Sequence, residues 1–472
     1  MIARAIFWLM LALVVLAPLP FGSNRPWAWS LLSAASGGLL VLWALAAMVN
    51  PAFHTLAWRH YRAIALLFGA FLSWAVFQAL PFSPAAWHHP SWPAMAAAFG
   101  QPLAGAISVS PSDSLNGVMR LLCYAMIFWL AMQLGRRLDR ARAAWWTLSL
   151  AITGYAIYGL VEQLGGGHMV LWFAKTSYYD SATATFINRN HFAAYTGLGL
   201  ILTLALIADE TKEAARQGLH SRSGWIYFLD HMRPPLFALM VAFVILTTAL
   251  LLSHSRAGVF CTAVGIVAML AAFAVSQGLR SKSLLAFGGI IFVVGLAVLI
   301  ISGDAITARM SELFENAGPR QQVYRLALQA IAERPLLGTG LGTFESVFRL
   351  LRGEDFGPSE PTYDVAHNSY LEMAVEAGLP AALVLYGALT ILVLALLHGA
   401  RERRRATIYP CSGLGATALL GTHALVDFSL QIPAIAVTFA LIAGIAYAQS
   451  WRHDERIAGG PSHDGHSRDG RD

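Results

Sequence analysis

"LFALMVAFVILTTALLLSHSRAGVFCTAVGIVAML", residues 236–270, places two apolar runs on either side of a short polar stretch, Ser253-His254-Ser255-Arg256-Ala257-Gly258. A helix needs about 17 to 25 predominantly apolar residues to cross the hydrocarbon core. Each run is close to that length, so the stretch predicts two membrane helices joined by a tight outer turn. The guanidinium of Arg256 must then face protein, water or an anion, because lipid cannot solvate it.

The rest of the chain repeats this pattern. Runs long enough to cross occur near 5–20, 29–49, 63–80, 116–134, 143–164, 187–208, 236–252, 259–277, 284–302, 379–398, 411–427 and 432–450. The expected fold is an all-α polytopic membrane protein with about twelve transmembrane helices. A composition of 57% hydrophobic and 12% charged residues across 472 positions agrees with that class. Residues 1–20 are taken as the first span, since Ala17-Pro18-Leu19-Pro20 is a poor cleavage site for a signal peptide.

The net charge of +6 does not point to nucleic acid, because Lys and Arg fall in short clusters between apolar segments. With the N-terminus in the cytoplasm, the inner segments hold about twice as many Lys and Arg as the outer ones. This orientation leaves both termini cytoplasmic. Cys123, Cys261 and Cys411 lie in or beside apolar runs without zinc or disulfide spacing.

The chain is expected to divide into residues 1–302 with nine spans, a partly helical periplasmic loop at 303–378, three spans in 379–450, and a disordered cytoplasmic tail at 451–472. In the long loop, Pro319 suits a first helical turn, and Val323, Leu326, Ala327, Ala330 and Ile331 share one face. That helix is expected to lie along the membrane surface. "GTGLG" at 338–342 follows a helix and a proline with no βαβ unit around it, so it is expected to be a flexible loop and not a dinucleotide site.

"AHNSYLEMAVEAGLP", residues 366–380, has a capping pattern at Ser369 and Glu372, a short amphipathic helix and a Gly378/Pro380 stop. His367 and Asn368 are thus expected at a helix start. There the partial positive charge disfavours imidazolium, which leaves His367 able to accept a proton, and backbone N–H groups attract anions. Alternatively, the two residues simply cap the helix. On the same side lie Arg189 in "TFINRNHFAAY", Arg256 in "SHSRAG" and Arg320 in "PRQQVY". Taken singly, each is an interfacial cation reaching for headgroups. Together, flanked by Asn, Ser and Gln, they resemble a diphosphate clamp, because guanidinium binds phosphate in a planar fork and stays protonated.

Arg120 is expected to snorkel, His191 and His254 to pack as polar neighbours, and Asp427 in "LVDFSLQIPA" to cap or pair with an arginine. No Asp-x-Asp pair is available outside to hold a divalent ion, so metal-independent chemistry without a cofactor is expected. A secondary transporter for a small anion is a competing reading. It would need ionisable residues near the midplane, whereas these gather at the outer ends.

These stretches, over about 185–434, resemble the O-antigen ligase and O-antigen polymerase family of the bacterial inner membrane. The carriers are "TFINRNHFAAY", "SHSRAG", the Arg320-to-Pro335 helix with "LLGTGLGTF", "AHNSYLEMAVEAGLP" and "DFSLQIPA". Two positions depart from the family pattern: Tyr324 stands where Trp is common, and Ala381 where ligases show Gly, Thr or Tyr. The resemblance implies a GT-C-like fold and a periplasmic-face, inverting glycosyltransferase that draws on an undecaprenyl-diphosphate glycan. The acceptor it implies is lipid A-core for a ligase, or a second lipid-linked glycan for an O-antigen or exopolysaccharide polymerase. It further implies that Arg189, Arg256 and Arg320 bind the diphosphate while His367, assisted by Asn368, orients or deprotonates the acceptor.

Overall fold

The computed structural model describes residues 1–50, 53, 56–166, 168–216, 234–276, 319–352, 363–403 and 406–451, apart from the side chains of 212–216 and 319–321. The span expected at 284–302, loop residues 303–318 and the tail beyond 451 lie outside the described residues. The α-helices are α1 (Ile2–Leu16), α2 (Pro26–Val49), α3 (Trp58–Ala79), α4 (Ser91–Phe99), α5 (Pro111–Leu134), α6 (Leu138–Leu164), α7 (Arg189–Arg216) and α8 (Pro234–Leu252). They continue with α9 (Arg256–Ser276), α10 (Pro319–Glu333), α11 (Phe344–Leu351), α12 (Ser369–Ala377), α13 (Leu379–Glu402), α14 (Ile408–His423) and α15 (Pro433–Gln449). The described residues also hold one small antiparallel hairpin, Met169–Val170 with Phe173–Ala174.

Every expected span apart from 284–302 coincides with one of these helices. Among the described residues, eight helices are long and apolar enough to cross a membrane, while α1 and α15 are apolar but shorter, at 15 and 17 residues. The chain is an all-α polytopic membrane protein. α14 ends at His423, short of the expected 427, because the following residues turn back and the Asp427 N–H bonds the His423 carbonyl at 2.9 Å.

α7 is the central helix, and 83% of its apolar window is buried. It packs against α6, α8, α9 and α14. Glycine lets two of the other helix pairs approach backbone to backbone. A Cβ on Gly265 of α9 would sit 2.7 Å from the Gly415 carbonyl of α14, and one on Gly415 would sit 2.8 Å from the Gly265 carbonyl. A Cβ on Gly444 of α15 would meet the Phe128 carbonyl of α5 at 2.5 Å. Between membrane helices such contact replaces the hydrophobic drive that lipid removes. The first pair sets the start of α9, with Arg256, beside the end of α14 and its Asp427 turn.

The segments expected on the outer side dock on one another. Gln78, at the end of α3, donates from Nε2 to the carbonyls of Leu337 (2.7 Å) and Glu376 (2.9 Å). Trp74 donates to Ala377 O at 2.8 Å, and the Val109 N–H bonds Thr339 O at 2.9 Å. Arg334 donates to Gly338 O and His88 O, each at 3.0 Å, and also to Trp87 O. "GTGLG" is therefore a packed wedge, not the flexible loop expected. Gly338 and Gly340 have φ of +67° and +105°, and a Cβ on either would come within 2.3 Å of Glu376 O or Ser108 Oγ respectively. α10 also differs from expectation. Its apolar face, including Val323, Ala327 and Ala330, is covered by Phe344, Phe348 and Val375 of α11 and α12, where the expectation had it against lipid.

Gly378 joins α12 to α13 at φ +79°, with the Leu336 carbonyl 2.6 Å from where a Cβ would be. Gly378→Ala is expected to lower stability by more than about 2 kcal/mol, since a left-handed backbone and a backbone clash must both be accommodated. An unfolding midpoint of the detergent-solubilised variant equal to wild type would contradict this.

Candidate active site

α7 begins at Arg189 and α9 at Arg256; α10 carries Arg320 as its second residue, and α12 follows His367-Asn368 directly. Helix starts leave N–H groups unpaired, and this sequence supplies polar caps at three of them. Asn188 Oδ1 accepts the Asn190 N–H at 2.8 Å, and Ser255 Oγ accepts the Gly258 N–H at 3.1 Å. Asn368 Oδ1 accepts the N–H groups of Tyr370 and Leu371, each at 3.1 Å. The cap of α12 is therefore Asn368, one residue before the expected Ser369. Asn368 thus fulfils the capping alternative with its oxygen, while its Nδ2 has no partner among the described residues.

The caps are then tied to one another. Ser255 Oγ donates to Asn190 Oδ1 at 2.8 Å, and Asn190 Nδ2 donates to Asp427 Oδ2 at 2.5 Å. Asp427 Oδ1 accepts the Phe428 N–H at 2.8 Å and lies 3.7 Å from His191 Nε2. Ser369 Oγ donates to the Asp427 carbonyl at 3.2 Å, and the Ser369 N–H bonds Ala424 O at 2.9 Å. The Phe428 ring meets His191 and His367 edge-on, at centroid distances of 4.5 and 5.1 Å. Tyr324, one turn after Arg320, donates from its hydroxyl to His367 O at 3.4 Å. Three helix starts, those of α7, α9 and α12, thus meet around the Asp427-Phe428 turn, and α10 reaches His367 through Tyr324.

The arginines differ in how they are held. Arg189 lies over the Tyr178 ring at 5.2 Å, and its Nε is buried without a hydrogen-bond partner among the described residues. Tyr178 is fixed in turn, because the Ser181 N–H bonds its carbonyl at 3.1 Å and buried Lys175 joins Ser181 O (3.1 Å) to Glu162 (3.0 Å). Arg256 is half-buried and makes no hydrogen bond or ion pair among the described residues. Arg320 is placed by its helix, and its side chain lies outside the described residues. Arg120 does not join this group; it lies over the Trp29 ring at 5.1 Å. His254 is exposed, with φ +52° and Nδ1 3.5 Å from Ser181 Oγ.

Asp427 was expected to cap or to pair with an arginine; it bonds the Phe428 N–H of its own turn, and its side-chain partners are Asn190 and His191 in place of an arginine. Burial alone would raise its carboxyl, but the neighbouring imidazoles and the Phe428 N–H outweigh burial and hold it below the usual carboxylate range. It is an ionised anchor, and His191 is its partner as well as a packing residue. Asn190, Ser255 and Tyr178 were missed as individual residues, although the first two stand inside the stretches singled out by sequence.

A cavity of about 640 Å³ lies elsewhere, walled by His88, His89, Arg334, Leu336 and Leu350, and none of the sequence-predicted site residues lines it. Burial and the Arg334 charge lower His89 to about 4, so its imidazole is neutral at pH 7.

Chemically, the knot brings the starts of α7, α9 and α12, two of them headed by an arginine, to the turn whose Phe428 ring packs on His367. That combination favours an anion with several oxygens beside a proton acceptor. No curated protein matches the chain. Residues 241–386, which include Arg256, Arg320, His367 and Asn368, match the family model described as O-antigen ligase.

Proposed function

We propose that the protein is a glycosyltransferase of the bacterial inner membrane, working at the periplasmic face. It moves a glycan from undecaprenyl diphosphate to an acceptor hydroxyl, with lipid A-core as the acceptor of a ligase. The observation that carries the reading is the Asn190 bridge, 2.8 Å from Ser255 and 2.5 Å from Asp427. It joins the helix starts of Arg189 and Arg256 to the turn that packs on His367.

In this reading, the acceptor oxygen attacks the anomeric carbon from the face opposite the diphosphate. The bond between that carbon and the phosphate oxygen breaks, its electron pair leaves with the diphosphate, and the hydroxyl proton passes to His367. The configuration inverts. Arg189, Arg256 and Arg320, with the N–H groups of their helices, bind the diphosphate and stabilise the negative charge that it gains in the transition state. Asn368 keeps α12 capped so that His367 is held at its start, and its Nδ2 is available to the acceptor. The chemistry requires no metal, since the cations are supplied by the chain.

A polymerase that takes a second lipid-linked glycan as acceptor is favoured by one residue, Ala381, where ligases show Gly, Thr or Tyr. A gel of surface polysaccharide from a deletion strain separates the two. Free core without any repeat is expected for the ligase, and core bearing a single repeat would favour the polymerase. A ladder unchanged from wild type would contradict both.

A further inference from the structure

Glu372 and Glu376 lie one turn apart on α12, only 5% and 4% exposed. Both project into protein, and each grips a different segment. Glu376 Oε1 accepts the Phe344 N–H at 3.1 Å, which ties α12 to the start of α11. Glu372 Oε2 accepts the Ala366 N–H at 2.9 Å. From sequence, Glu372 was paired with Ser369 in a capping box; its bond instead reaches past the cap to the residue before His367.

That bond falls at a strained place. His367 has φ +53°, a left-handed backbone that a non-glycine residue adopts only when its surroundings hold it there. On its C-terminal side, the turn is held by Tyr324 on His367 O and by the Asn368 cap. On its N-terminal side, the hold described here is the Ala366 N–H, and Ala366 is 1% exposed. Without an acceptor, that N–H would be buried and unpaired, and the turn would relax to reach another partner.

We propose that Glu372 is a positioning residue for His367: its carboxyl oxygen holds the Ala366 N–H and so fixes the left-handed turn that sets the imidazole, acting as a hydrogen-bond acceptor and not as a charge. The proposal rests on the glycosyltransferase reading. The groups around Glu372 agree with the emphasis on the acceptor. Burial first, then the charges of Glu376 on the same helix and Asp364 on the preceding segment, raise its carboxyl; the Ala366 N–H and the Gln431 side chain act the other way and are outweighed. Burial likewise raises Glu376, against the N–H groups of 342–344 and the Arg120 charge from α5. A neutral carboxyl keeps its carbonyl oxygen, which is all that the Ala366 N–H requires.

The test is the transfer rate of the full-length protein in lipid nanodiscs, with an undecaprenyl-diphosphate-linked glycan as donor, for Glu372→Gln, Glu372→Ala and His367→Ala. Rates are taken per folded protein from gel filtration. Glu372→Gln retains the acceptor oxygen and is expected to keep the wild-type kcat and pH profile. Glu372→Ala is expected to lose about a hundredfold in kcat with KM unchanged, the scale of a catalytic group displaced by about 1 Å. The proposal is overturned if the Ala variant keeps its kcat, if its loss follows only the loss of folded protein, or if the Gln variant is as impaired as Ala. Wild-type transfer by His367→Ala would sink the reading beneath it, whereas an inactive His367→Ala beside an active Glu372→Ala would sink this inference alone.

Discussion

His367→Ala is expected to abolish detectable glycan transfer while the protein still inserts and folds. In the proposed step, the acceptor hydroxyl must lose its proton as it attacks, and a positioned base contributes about 10² to 10⁴-fold to such a step. His367 stands at the start of α12, its ring against Phe428 at 5.1 Å and its carbonyl within 3.4 Å of the Tyr324 hydroxyl. The turn around it is held by bonds of the Tyr324, Asn368 and Glu372 side chains to backbone groups, so losing the imidazole leaves those bonds in place. In vitro transfer measured on protein that is monodisperse in detergent checks the expectation. Wild-type turnover would remove His367 from the mechanism.

Arg256→Ala should be comparably severe, by a different route. A fixed cation is worth most where charge develops, and loss of one such group costs about 2 to 4 kcal/mol of barrier, or roughly 10² to 10³-fold in kcat. Arg256 makes no hydrogen bond or ion pair among the described residues, so its removal breaks neither kind of contact among them. The unfolding midpoint is therefore expected to stay within about 0.5 kcal/mol of wild type, as for substitutions outside structural networks. Arg256→Lys should recover only part of the rate, because an ammonium cannot make the planar fork to phosphate oxygens. Steady-state kinetics beside thermal unfolding distinguish this from a structural role. A variant that loses stability and activity in proportion would show that Arg256 supports the fold and not the diphosphate.

The spans were legible because crossing lipid imposes a length and a composition on each segment, and 236–270 satisfies both without help from any other part of the chain. The helix starts at Arg189, Arg256 and Ser369 were legible for a related reason, since caps and stops are local chemistry. What joins them was not. Asp427 meets Asn190 across 237 residues of sequence, and nothing local to "VDFSLQ" distinguishes an aspartate that caps its own turn from one that anchors three others. Tyr178 beneath Arg189 was hidden likewise, in a loop whose shape depends on the buried Lys175–Glu162 pair.

Two misreadings have a common origin. The glycines of "GTGLG" permit both a mobile loop and a backbone wedge, and only the neighbours Glu376 and Ser108, at 2.3 Å from the added Cβ atoms, decide between them. The apolar face of α10 was identified correctly, but periodicity says which face is covered and not by what; α11 and α12 cover it, where lipid had been expected. The one-residue shift of the α12 cap is smaller in kind. Asn is at least as good a cap as Ser, and with Asn368 and Ser369 adjacent, the backbone chose the former.

The central claim is that the starts of α7, α9 and α12 enclose one diphosphate site beside His367 on the outer side of the membrane. An experimental density map of the protein bound to undecaprenyl diphosphate tests it most directly. The account predicts both phosphates between Arg189 and Arg256, within hydrogen-bond reach of their guanidinium groups and next to the Asp427-Phe428 turn. Phosphates seated in another cleft, or at the cytoplasmic ends of these helices, would contradict it.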